Sequence, residues 1–101
     1  MKVQIFRVAG RSMEPEFREG DFVMVSKLPV QPKYVRPGTH IAFVHSKYGM
    51  LIKKVQDYDP ELKLLWATGT SRFSIPSHEI GPIPVKNVLG EVVGHVRKTH
   101  M

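Results

Sequence analysis

Two residues in this chain are of types that can do covalent chemistry together. Ser12 stands in Gly10-Arg11-Ser12-Met13-Glu14-Pro15, and Lys53, some forty residues further on, stands in Met50-Leu51-Ile52-Lys53-Lys54-Val55. A serine hydroxyl is a weak nucleophile at its own pKa and needs a base within hydrogen-bond reach. A lysine amine is such a base only when neutral, which near pH 7 demands apolar surroundings that disfavour the charged form. Leu51, Ile52 and Val55 supply apolar company. The pair is read as a serine–lysine hydrolytic site, with Ser12 attacking a carbonyl and Lys53 taking its proton.

The elements that must position this pair are short strands. Glycine and proline, eight of each, cut the chain into brief apolar runs at residues 3–8, 22–25, 41–44, 50–55, 62–67 and 88–96. That spacing predicts a mainly β fold, a compact barrel or sandwich of short antiparallel strands. Gly90 and Gly94 fall inside the last run and are expected at bends or bulges. One or two helical turns are expected, at residues 12–18 with Ser12 as N-cap, and at residues 84–88, which proline opens. Residues 31–38 read as a polar loop.

Each candidate has a plainer reading beside the chemical one. Ser12 follows a strand end and the flexible Gly10, where free backbone N–H groups could receive an oxyanion. On local grounds alone, a serine there reads first as an N-cap before an acidic turn. In an alternating strand Leu51, Lys53 and Val55 share one face while Ile52 and Lys54 share the other, so one of two adjacent lysines is directed inward. Burying it would lower its pKa at a cost in stability; a lysine guarding an edge strand is the other reading. Residues 69–84 carry many hydroxyls between strands, and one of them could orient the amine.

Composition sets bounds. The 101 residues suit a single domain over the whole chain, residues 1–101. There is no cysteine, which excludes disulfides, thiolate metal sites and cysteine catalysis. A net charge of +6 comes from scattered lysines and arginines without a basic block, so nucleic acid is not an expected partner. The five histidines show no metal-ligand spacing and read as surface residues; no metal or cofactor is expected. Trp66, Tyr48 and Phe73 read as core rather than as a base-stacking surface. No stretch approaches the ~20 apolar residues of a transmembrane helix, and residues 1–8 are too short and interrupted for a signal peptide. A soluble, cytoplasmic protein that opens directly on its first strand is expected.

Taken together these segments resemble the bacterial and organellar signal peptidase I family. Gly10-Arg11-Ser12-Met13-Glu14-Pro15 and Gly20-Asp21 match its Gly-x-Ser-Met-x-Pro and Gly-Asp. Arg36-Pro37-Gly38-Thr39-His40-Ile41-Ala42-Phe43 matches Arg-x-Gly-Asp-Ile-Val-x-Phe, and Ile52-Lys53-Lys54-Val55 matches Ile-Lys-Arg-Val. Residues 69–82 match the family's serine-bearing Gly-Asp-Asn-Arg to Gly-Pro segment. The resemblance implies the catalytic-core fold shared with LexA-type repressors, Ser12 as nucleophile, its backbone N–H in the oxyanion hole, Lys53 as general base and Ser74 orienting the lysine. Gly10, Met13 and Leu51 are the candidates for the substrate pocket. Gly10 holds a place where some members have a hydroxyl, leaving backbone donation alone. Gly69-Thr70-Ser71, Pro76, His78 and Lys54 depart from the family pattern, and the loop between Arg72 and Gly81 is one residue short.

What the resemblance implies is a serine endopeptidase that binds a protein or peptide precursor in extended form and removes a leader or signal segment. The compact, anchorless chain is most similar to the small soluble members, among them the nickel-type superoxide dismutase maturation proteases. Two other readings compete. A LexA-type self-cleaving regulator would need a scissile bond able to reach the site, and Ala9-Gly10 stands too close to Ser12. A non-catalytic module could hold extended peptides by strand addition, although binding alone needs neither Ser12 nor Lys53.

Overall fold

Ile41, Ala42 and Phe43 are consecutive in a strand, and all three are fully buried. Side chains alternate between the faces of a strand, so this one is covered on both sides and must lie inside the sheet. In the computed structural model, which describes residues 3–9, 13–26, 36–69 and 74–98, it does.

The strands are β1 (Val3–Arg7), β2 (Phe22–Ser26), β3 (His40–His45), β4 (Gly49–Asp59), β5 (Leu64–Thr68), β6 (Ile83–Pro84) and β7 (Val88–Val96). They form one seven-stranded sheet in the order β1-β2-β7-β3-β4-β5-β6, with every neighbour antiparallel. The mainly β expectation holds, with the short strands joined in a single sheet. Among the described residues one α-helix, α1 (Ser77–Ile80), and a 3-10 turn (Val85–Asn87) complete the fold. The 3-10 turn lies where proline predicts it. Residue 12 lies outside the described residues; from Met13 onward the predicted first turn is present, with the Phe17 amide donating to the Met13 carbonyl at 2.9 Å. Helix α1 corrects the reading of that stretch as loop.

Two apolar clusters divide the buried residues. Ile41, Phe43, Val55, Leu65, Ala67, Ile80 and Ile83 make one; Val8, Met13, Phe17, Val23, Val25 and Ala42 make the other. The alternation within β3 assigns Ile41 and Phe43 to the first and Ala42 to the second. Trp66 belongs to neither: it is half-buried in an open depression with Gln56 and Asp57, a correction to its reading as core.

Strand β7 joins the two hairpin groups, and it does so by close approach. Its register slips once opposite Met24 and Val25 and once opposite Ala42 and Phe43, beside Gly94 and Gly90. A Cβ on Gly90 would collide with the Ser26 carbonyl oxygen, and one on Gly94 with the Met24 methyl. Backbone cannot retreat as a flexible side chain can. Gly90→Ala is therefore expected to cost about 3 kcal/mol or more, while Gly38→Ala, at a positive-φ turn with open space around it, should cost only about 1–2 kcal/mol. Urea unfolding of both variants reads the difference; equal losses would show that β7 can shift away from β2.

Candidate active site

Lys53 sits in the middle of β4 opposite Ile41 of β3. Its neighbours on the same face, Leu51 and Val55, are half-buried and buried, and Lys53 itself has no exposed surface. Its Nζ finds no hydrogen-bond partner among the described residues, Ser74 included. An ammonium in that position has lost its water and gained nothing in return. Desolvation accordingly lowers the Lys53 pKa from the ordinary lysine value. Lys54, one residue on, takes the opposite face, remains partly exposed and meets Glu16 at 3.5 Å. Alternation sends one lysine inward and leaves the other at the surface.

The inward face continues only because β4 is bulged at Gln56, between Val55 and Asp57. The extra residue inverts the alternation, so Tyr58 packs against the same cluster as Val55 while Asp57 points outward. Strand β4 thereby runs four residues past Val55, where the apolar alternation stops.

Residues 10–12, Ser12 and the pocket candidate Gly10 among them, lie outside the described residues. Their described neighbours on either side, Ala9 and Met13, line one cavity of about 100 Å³ together with Arg7, Val8, Met50, Leu51 and Ile52. Met13 and Leu51, both candidates for the substrate pocket, are thus brought together. Met13 is buried in the second cluster, on the Ala42 side of the sheet, whereas Lys53 shares the Ile41 side. Leu51, beside Lys53 on its face, reaches the rim of the cavity that Met13 also lines. Ser74 is half-buried at the start of the stretch leading to α1.

A polar network absent from the sequence reading surrounds the turn after Ser12. Glu16 takes His40 on one carboxylate oxygen and Lys54 on the other. The Phe17 ring meets His40 and His95 edge-on, at centroid distances of 4.9 and 4.8 Å. Asp21 accepts from the backbone N–H groups of Lys98 (2.8 Å) and Arg18 (3.0 Å) and pairs with His95 Nε2 at 2.8 Å. Those donors hold the Asp21 carboxyl well below the usual carboxylate range, the Lys98 amide contributing most. His45 donates through Nε2 to the Ile80 carbonyl and accepts at Nδ1 from the Lys47 amide. His40, His45 and His95 are therefore part-buried and engaged, a correction to their reading as surface residues. Among the described residues no three potential ligands gather as a metal site, and no helix is long and apolar enough to cross a membrane.

Comparison with known proteins identifies the family of this chain. The family model for Peptidase S24-like proteins matches residues 1–67, a span that contains both Ser12 and Lys53 and stops short of Ser74. The chain belongs to that family, which spans the LexA and signal peptidase types, and its fold is a peptidase or self-cleaving one. No curated protein and no solved structure matches this chain.

The Lys53 environment makes a signed prediction about pH. A lysine whose folded pKa lies below its unfolded value binds its proton more readily in the unfolded chain, so stability rises with pH between the two. Lys53→Met, which keeps the side chain's length and removes the amine, is expected to stabilise the protein at pH 7. Its advantage over the wild type should narrow as pH climbs toward the ordinary lysine value of 10.5. Urea titrations of both proteins between pH 7 and 10.5 check this. A gap that stays constant would mean that the folded-state pKa of Lys53 is not lowered.

Proposed function

We propose that this protein is a serine endopeptidase in which Ser12 is the nucleophile and Lys53 the general base, and that it removes a leader or signal segment from a protein precursor. The observation that carries this reading is the Lys53 amine, wholly buried and without a partner among the described residues. Such a group is costly as a cation and useful as a base. Membership of a peptidase family supplies the reaction class.

The chemistry follows from the two residues. Ser12 Oγ adds to the scissile carbonyl while neutral Lys53 Nζ takes the hydroxyl proton. The resulting ammonium protonates the departing amine, the C–N bond breaks, and an acyl-serine remains. Lys53, neutral again, draws a proton from water, and hydroxide addition releases the acid and restores Ser12. The Ser12 backbone N–H stabilises the oxyanion in both halves. Ser74 is assigned the orienting of the Lys53 amine, which the described structure leaves unbonded. Met13 and Leu51 border a cavity of about 100 Å³, too small for a large side chain and suited to a small apolar residue before the cut. Gly10 is assigned to the same substrate pocket. An extended precursor carrying a short N-terminal leader is the assigned substrate, and precursors of nickel-type superoxide dismutase are the first to try. A cytoplasmic site of action is assigned with it.

Labelling with a serine-reactive fluorophosphonate across pH tests the dyad. Labelling is expected at Ser12, rising with pH along a limb centred below the ordinary lysine value, and lost in both Ser12→Ala and Lys53→Ala. A folded wild type that is never labelled, or labelling that survives Lys53→Ala unchanged, would overturn the assignment.

A further inference from the structure

Catalysis by a serine and a lysine from separate segments requires that one segment be fixed against the other to within a fraction of an ångström. Core packing supplies part of that restraint: Met13 and Phe17 bury their side chains in the second cluster, and the Phe17 amide closes the turn on the Met13 carbonyl. Apolar contacts set how deep the turn lies, but they are not directional. A directional contact is needed as well.

Glu16 makes it. Its Oε2 engages His40 Nε2 of β3, and its Oε1 lies 3.5 Å from Lys54 Nζ of β4. His40 and Lys54 are themselves register partners across the two strands. One carboxylate therefore spans both strands of the pair at a single register position, and does so from the turn that follows Ser12. Lys54 is the covalent neighbour of Lys53, so the β4 end of the contact is one residue from the base. His40 is further fixed by the edge of the Phe17 ring, which couples the polar contact to the buried anchor.

We infer that Glu16 is a positioning residue, holding the turn that follows Ser12 in register with the strand that carries Lys53. Its catalytic relevance rests on the Ser12–Lys53 pairing proposed above; the restraint itself stands on the contacts just described. The cation at position 54 is a structural partner of the turn, and any side chain that keeps the charge and reach should serve there.

The test uses the full chain with Glu16→Ala, Glu16→Gln and Lys54→Arg, read in two ways. Fluorophosphonate labelling at Ser12 is expected to slow about tenfold in Glu16→Ala at every pH, with the midpoint of the pH limb unmoved, and to be retained in Lys54→Arg. Hydrogen exchange at the Phe17 amide is expected to quicken in Glu16→Ala while exchange at the Val55 amide, which donates to the Thr39 carbonyl just before β3, stays as in the wild type. Glu16→Gln, which keeps the shape and removes the charge, takes the place of Glu16→Ala if that variant does not fold. Unchanged Phe17 exchange overturns the positioning role whatever the labelling does. Quickened exchange with unchanged labelling, or a shifted pH midpoint at an unchanged maximal rate, overturns its bearing on the site. Should the folded wild type itself resist labelling, the Ser12–Lys53 pairing fails, and Phe17 exchange still decides whether Glu16 holds the turn.

Discussion

A buried amine with no partner among the described residues, inside an antiparallel sheet, is a liability that has to be outweighed by its surroundings. Ile41 across the strand pair and Val55 on the same face are fully buried, and Phe43, Leu65 and Ala67 extend that cluster. These residues keep water from Lys53 and so disfavour its charged form. Any loosening that admits water to this face would favour the ammonium and leave less of the neutral amine that the proposed mechanism needs. The adjacent Lys54 shows the alternative, since a lysine left at the surface keeps its solvent and takes a carboxylate partner.

The two faces of the sheet divide the labour. One cluster surrounds Lys53; the other seats Met13 and Phe17 and so carries the turn that follows Ser12. Strands β3 and β4 take part in both, through Ile41 and Val55 on one side and Ala42 and Ile52 on the other. The cavity bordered by Ala9, Met13 and Leu51 lies where residues of the two groups meet. Asp21 secures the far end of this arrangement, collecting the Arg18 amide, the Lys98 amide and His95 on one carboxylate and so tying the end of β7 to the turn before β2.

Much of this architecture was legible in the sequence because its signals are local. The alternation of Leu51, Lys53 and Val55 predicts an inward lysine, and Gly and Pro punctuation marks most strands within two residues. The failures have identifiable causes. Strand β4 continues past Val55 because the bulge at Gln56 inverts the alternation on which the reading depends. Helix α1 is four residues long, too short to show a helical period, and its N-cap, Pro76, offers no side-chain hydrogen bond; Gly81, at positive φ after its last residue, was the available sign. The pairs Glu16–His40 and Asp21–His95 join residues 24 and 74 positions apart. No local pattern encodes such contacts, because they exist only once β3 and β7 have taken their places in the sheet.

The position of β7 also governs the order in which the chain can fold. Its partners β2 and β3 are early in the sequence, yet the strand between them is the last to be made. Until it arrives, β2 and β3 each present a bare edge, and the two hairpin groups have no ladder between them. Residues 1–67, which contain both proposed catalytic residues, end before β7 begins. Synthesis of that span alone leaves an unfinished sheet. Folding must wait for the distant pairing, which makes it slow relative to a sheet built from successive hairpins, and places the last assembly step after most of the chain has left the ribosome.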